Sequence, residues 1–190
     1  MTKAEYRSIY KNKRLALPFS EKSKWDVLIY NQLITLPWVE ASYVHVFIPI
    51  KKLKEPDTHL FVDYIRTNFP TCNIVISKSS FQDNSMTNYI WNSDLVLVEN
   101  KWGIEEPYDG EIVNEEMIDV VLIPLLIADL NGNRIGYGKG FYDRFLSKCR
   151  TDVKKIGICY FEPVQKIDDI STLDIPLDML ITPHNTYIYK

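Results

Sequence analysis

The sequence predicts a three-layer α/β/α fold with a largely parallel central sheet. Two observations lead there. Short β-rich apolar runs alternate with helical patterns along most of the chain, the order that produces parallel strands joined by crossover helices. No Gly/Ser-rich linker, internal repeat or low-complexity segment divides the 190 residues, so they read as one domain, 1–190.

The elements follow in order. Thr2-x-x-Glu5 is a capping box opening a helix that runs to about Leu17 and ends at Pro18. Ser20 is expected to cap a second helix, whose Trp25, Leu28, Ile29, Leu33 and Leu36 keep helical spacing until Pro37 stops it. Tyr43 to Ile48 reads as a strand, Thr58 to Phe69 as a helix, and Asn73 to Ile76 and Leu95 to Glu99 as strands. A short helix is expected over Val113 to Met117, then a strand from Val120 to Ile123. Asn131-Gly132 between apolar flanks signals a tight turn. A helix from Phe141 to Cys149 and strands over Lys155 to Tyr160 and Met179 to Thr182 complete the chain.

Composition excludes several classes of function. There are 22 basic and 25 acidic residues, a net charge of −3, where dedicated nucleic-acid-binding domains run strongly basic. The longest apolar run, Val120 to Ala128, is broken by Pro124 and falls far short of the roughly 20 residues of a membrane span. The N-terminal segment is charged, without the apolar stretch of a secretory signal. Cys72, Cys149 and Cys159 form no C-x-x-C pair and fit reduced thiols. These features lead us to expect a cytoplasmic protein that binds neither nucleic acid nor membrane, and the mildly acidic surface and absence of heptads fit a monomer, with a dimer as the alternative.

Chemistry concentrates in Gly136-Tyr137-Gly138-Lys139-Gly140. Glycines let the backbone approach a ligand and turn its N–H groups inward, and a following helix adds a positive end, so the segment can cradle phosphate. Its spacing is neither that of a P-loop nor that of a dinucleotide fold, and an ordinary turn is the alternative. Asp143 either stabilises the start of the next helix or holds Mg²⁺, which prefers one or two carboxylates plus phosphate oxygens. Arg134 offers a planar fork for phosphate or is a solvated turn residue. Lys3, Arg7 and Arg14 share roughly one helix face, either as a polyanion site or as a solvated basic surface. No H-E-x-x-H, G-x-S-x-G or C-x-x-C occurs, so zinc hydrolase, serine hydrolase and thioredoxin readings lack support.

From Asp129 through Asn131-Gly132-Asn133-Arg134-Ile135-Gly136-Tyr137-Gly138-Lys139-Gly140-Phe141-Tyr142-Asp143-Arg144-Phe145-Leu146, the chain resembles the 5-formyltetrahydrofolate cyclo-ligase family. Ile123-Pro124 matches the family's preceding strand, and Lys3-x-x-x-Arg7 its first helix. Trp102-Gly103-Ile104-x-Glu106-Pro107 matches the middle segment, and Asp174-Ile175-Pro176-Leu177-Asp178 with Ile181-Thr182 the C-terminal one. The resemblance implies an ATP- and Mg²⁺-dependent ligase. ATP phosphorylates the formyl oxygen of 5-formyltetrahydrofolate, N10 closes the ring, and 5,10-methenyltetrahydrofolate, ADP and phosphate are released.

Carried over by position, the resemblance implies that Lys3, Arg7, Arg134, Ile135, Gly136, Tyr137, Gly138, Lys139, Gly140, Phe141 and Tyr142 bind the nucleotide, with Arg134 and Lys139 catalytic. Asp143 and Asp178 would hold Mg²⁺. Ile50, Glu55, Trp102, Tyr137 and Phe141 would border the folate, with Glu55 accepting hydrogen bonds from the pterin N–H groups. Lys51, Lys52 and Lys54 are candidates to meet an anionic folate tail. The chain departs from the family pattern at Phe141, where many members have Tyr, at Leu173, which replaces a His, and at Leu126-Ile127-Ala128. These departures keep two alternatives open: an ATP-dependent enzyme of the same fold acting on another small molecule, or a non-catalytic nucleotide- and folate-binding module.

Overall fold

The computed structural model describes residues 1–101 and 103–189. Helix α1 (Lys3–Ala16) starts at the expected capping box: Glu5 N–H donates to the Thr2 hydroxyl at 3.3 Å, and Thr2 N–H donates to the Glu5 carboxylate at 2.8 Å. Helix α2 (Phe19–Leu33) is preceded by Pro18, which leaves Ser20 inside the helix with no capping role. It stops before the expected Leu36. The elements that follow are β1 (Tyr43–His45), α3 (His59–Asn68), β2 (Asn73–Ser80) and β3 (Ser85–Ile90). Next come β4 (Leu97–Glu99), β5 (Glu105–Pro107), β6 (Ile112–Val113) and β7 (Val120–Pro124). The chain continues through β8 (Ile127–Ala128), β9 (Arg134–Ile135), α4 (Phe141–Leu146), β10 (Lys154–Ile158), β11 (Met179–Ile181) and β12 (Thr186–Ile188).

The central sheet has eight strands in the order β12-β11-β10-β7-β1-β2-β3-β6. The pairs from β11 to β2 are parallel, whereas β12, β3 and β6 add antiparallel. The largely parallel sheet is therefore right for the centre and gives way at both edges. Strand β2 is longer than expected because it forms a hairpin with β3, six register pairs from Val75↔Ile90 to Ser80↔Ser85.

The strands explain why helices are needed on both faces. Along β7, Val120 and Leu122 face one core, and Val121 and Ile123 the other. Ile29 and Leu33 of α2 and Phe61, Val62 and Ile65 of α3 fill the first core. Phe145 and Leu146 of α4 fill the second. Each such side chain contributes about 1.5–3 kcal/mol on burial. Three pieces stand off the sheet, the first being the antiparallel pair β4–β5. The β8–β9 hairpin turns at Asn131-Gly132, as expected, with Ile127 opposite Ile135. Helix α1 lies on this hairpin through Tyr6 and Tyr10, which pack on Ile127, Ile135 and Ile167.

Candidate active site

The parallel strands set the site's position, because the chain leaves them at their C-terminal ends in loops free to carry chemistry. After β7 the chain runs through Leu125 into the β8–β9 hairpin and then into Gly136–Gly140. This loop has the conformation its glycines permit: Gly138 and Gly140 have φ of +85° and +70°. A side chain at Gly138 would lie 2.9 Å from Arg7 Cζ, so glycine is what lets the Arg7 guanidinium rest on the loop. Arg7 Nε donates to the Gly136 carbonyl at 3.0 Å. Arg144 Nη1 donates to the Lys139 carbonyl at 2.8 Å and steadies the loop's far end. The Lys139 side chain is exposed, and among the described residues it forms no ion pair. Helix α4 spans only Phe141–Leu146. Its short dipole leaves most of the positive charge at the loop to Arg7, Arg134 and Lys139.

Arg134 is held rather than free. Nη2 donates to Asp143 Oδ1 at 2.7 Å and Nη1 donates to the Ile175 carbonyl, while the side chain is only 7% exposed. Burial lowers its pKa, opposed by Asp143 and Asp174. Asp143 Oδ1 also accepts from Ile175 N–H at 3.2 Å. Oδ2 accepts no hydrogen bond among the described residues, which leaves one carboxylate oxygen beside the loop. That donor suits Mg²⁺, which uses one or two carboxylates with phosphate oxygens and water.

Asp178 is not brought to Asp143. Its Oδ2 accepts from Lys155 N–H at 2.9 Å and pairs with Lys155 Nζ at 2.7 Å. It lines a separate cleft of about 400 Å³ with Trp38, Asp119 and Lys154, at the starts of the parallel strands. Lys155 is level with Val121, four residues before Leu125, or about 13 Å along the strand direction. The carboxylate that this segment does deliver is Asp174, which accepts from Lys3 Nζ and from Ser171 N–H at 2.7 Å. The D-I-P-L-D spacing holds two aspartates, and spacing alone does not say which end of a strand each one occupies.

The proposed folate side forms around Glu55, which is buried. One oxygen accepts from Ile50 N–H at 2.8 Å and the other from the Tyr137 hydroxyl, so Ile50, Glu55 and the glycine loop do meet. Burial raises the Glu55 pKa, and the bonds from Ile50 and Tyr137 and the charge of Arg14 oppose the rise. Phe141 stacks edge-on against Phe81, with centroids 5.3 Å apart. Tyr142 instead packs edge-on against His45 and Phe145, and burial raises its pKa. The Ile135 side chain is buried in the α1–hairpin cluster, so only its backbone belongs to the loop. Trp102 lies outside the described residues.

Two sequence expectations about charge change. Arg14 does not join Lys3 and Arg7 on a surface face: it is buried and bonds to the Tyr137 hydroxyl and the Leu125 carbonyl. Lys54 donates to the carbonyls of Leu15 and Leu17, at 2.6 and 2.7 Å, and Lys51 pairs with Glu105 at 3.3 Å. Of the three lysines suggested for an anionic tail, Lys54 therefore serves the end of α1. Among the departures, Leu126, Ile127 and Ala128 are wholly buried and Leu173 is exposed, so neither enters the loop.

Residues 2–183 match the model of the 5-formyltetrahydrofolate cyclo-ligase family. A probable 5-formyltetrahydrofolate cyclo-ligase of Schizosaccharomyces pombe is 30% identical over 175 residues, covering 83% of each chain. The 5-formyltetrahydrofolate cyclo-ligase of Mus musculus is 26% identical, with 90% of this chain and 93% of the mouse protein covered. The NMR structure of Aquifex aeolicus 5,10-methenyltetrahydrofolate synthetase superposes with a TM-score of 0.84 at 29% identity, over 100% of this chain and 94% of that one. The Mycoplasma pneumoniae 5,10-methenyltetrahydrofolate synthetase superposes with a TM-score of 0.77 at 26% identity, over 97% and 100% of the two chains. The chain belongs to the 5-formyltetrahydrofolate cyclo-ligase family.

Proposed function

We propose that this member of the cyclo-ligase family converts 5-formyltetrahydrofolate to 5,10-methenyltetrahydrofolate, with ATP converted to ADP and phosphate. The observation that carries the reading is the contact between Arg7 and Gly136. It joins the basic first helix to the glycine loop, two motifs far apart in sequence, as one site.

The chemistry follows from a poor leaving group. The formyl oxygen attacks the γ-phosphorus of ATP and ADP departs. N10 then attacks the activated carbon, loses its proton, and phosphate leaves. Work of this kind consists mostly of positioning and charge neutralisation. The loop N–H groups and Arg7 hold the phosphates. Lys139, unpaired among the described residues, is free to follow the transferring phosphoryl group. Arg134 orients Asp143 and adds positive charge. Glu55 retains lone pairs for pterin N–H groups, beside Ile50. Bound Mg²⁺ would neutralise phosphate oxygens, and Asp143 would hold it through Oδ2. Asp178 is engaged by Lys155, so we assign the metal to Asp143 alone.

Residues 1–190 act as one unit in this reading, supported by a family match over 2–183. The setting is a cytoplasmic monomer acting on small molecules. Among the described residues, no helix is long and apolar enough to cross a membrane. The deciding experiment follows the near-ultraviolet absorbance of the methenyl product with purified protein, 5-formyltetrahydrofolate, ATP and Mg²⁺. The band is expected to grow only with all components present. Silence from folded, ATP-binding protein would overturn the substrate assignment.

A further inference from the structure

Arg14 is among the largest wholly buried side chains, and the reaction described above gives it no task. Nη2 donates to the Tyr137 hydroxyl, Nη1 donates to the Leu125 carbonyl at 3.5 Å, and Nε is buried with no partner among the described residues. A buried cation is costly unless an anion stands close. Here the anion is Glu55, one bond further along, whose carboxylate accepts from the same Tyr137 hydroxyl. That hydroxyl accepts from a cation and donates to an anion, so the chain is polarised in one direction from Arg14 to Glu55.

Tyr137 has a second attachment. Its backbone lies between Gly136, bonded to Arg7, and Gly138, covered by the Arg7 guanidinium. A ligand that reorders this loop must move the Tyr137 hydroxyl or strain it. The other groups packed on the Glu55 segment do not offer the same link. The Tyr160 hydroxyl donates to Asp26 and lies 3.3 Å from the Glu55 backbone carbonyl. Asp26 is engaged by Lys22 at 2.7 Å and by Asp57 N–H at 3.0 Å.

We propose that Arg14 and Tyr137 are positioning residues that tie the phosphate loop to Glu55, so that nucleotide on the loop and folate at Glu55 sense one another. The identity of the two ligands rests on the function proposed above. Because the tie is an equilibrium coupling, it acts equally in both directions.

The test uses the full chain labelled with ¹³C at glutamate carboxyls, with the Glu55 resonance identified by its loss in Glu55→Gln. A non-hydrolysable ATP analogue with Mg²⁺ is expected to shift that resonance in the wild type and not in Tyr137→Phe. In steady-state kinetics, Tyr137→Phe is expected to raise KM for the folate about tenfold, with a smaller change in kcat. Arg14→Lys should recover most of what Arg14→Met loses. Should Arg14→Met fail to fold, Tyr137→Phe, which removes one oxygen, carries the test. A Glu55 resonance that ignores the analogue, or moves equally in Tyr137→Phe, overturns the tie. A chain that shows the shift but turns over no 5-formyltetrahydrofolate keeps the tie and overturns the proposed substrate. Turnover without the shift does the reverse.

Discussion

Lys139 and Arg134 belong to one loop, yet their removal should read out differently. Lys139 is exposed, so Lys139→Ala should leave the melting temperature unchanged and lower kcat about 100-fold or more. Arg134 holds Asp143 and the Ile175 carbonyl, so Arg134→Ala should lower turnover and also cost about 2 kcal/mol of stability, visible in a urea melt. That is below the cost of breaking a fully buried pair, because Asp143 is 29% exposed. Normal turnover in Lys139→Ala would remove it from the phosphate site. Which charges exist was legible in the sequence, but their partners were not. Arg14 has the helical spacing of a surface cation beside Lys3 and Arg7 and is instead buried. Asp178 matches a motif position and is instead neutralised by Lys155.

Among the elements, α1 bears most directly on the site. Thr2→Ala removes half of the capping box and should cost about 1 kcal/mol. The first turn carries Lys3, so fraying there should also raise KM for ATP; an unchanged KM would detach this helix end from the nucleotide. Helix α3 carries a pH signature at its start. The Asp57–His59 hydrogen bond, 2.7 Å long, holds the Asp57 pKa down to about 2 and raises that of His59. The raised His59 pKa gives a contribution that is complete below 6.5 and fades as pH rises through the folded value. The lowered Asp57 pKa gives one that is complete above 3.8 and fades as pH falls through about 2. Together they give a window from about pH 4 to 6.5, worth about 0.5 kcal/mol because both groups are half exposed. The stability lost in Asp57→Asn should therefore be larger at about pH 5.5 than at about pH 8.5. Equal losses would show the pair to be uncharged. The capping box and the Asn131-Gly132 turn were readable because each is a local pattern with local causes. Strand β3 was not, since Ser85, Thr87 and Asn88 lie in a polar hairpin with no apolar alternation. Strand β12 is three residues on an exposed edge, below any periodicity.

For the molecule as a whole, the sheet and the site rest on different foundations. The five parallel strands are held by two apolar cores, and Asp143 belongs to neither. Chelating divalent metal should therefore abolish turnover without moving the unfolding transition; a large drop in melting temperature would mean that the metal also supports the fold. The central strands were legible because apolar runs such as Val120 to Ile123 report burial on both faces. How the loops converge was not legible, because it depends on contacts between distant parts of the chain. Lys3 meets Asp174 across 171 positions of sequence. During biosynthesis that distance becomes a delay. Lys3 leaves the ribosome 171 positions ahead of its acidic partner Asp174. The nascent chain thus carries Lys3 without this partner throughout that interval, and the contact can form only once Asp174 has been made.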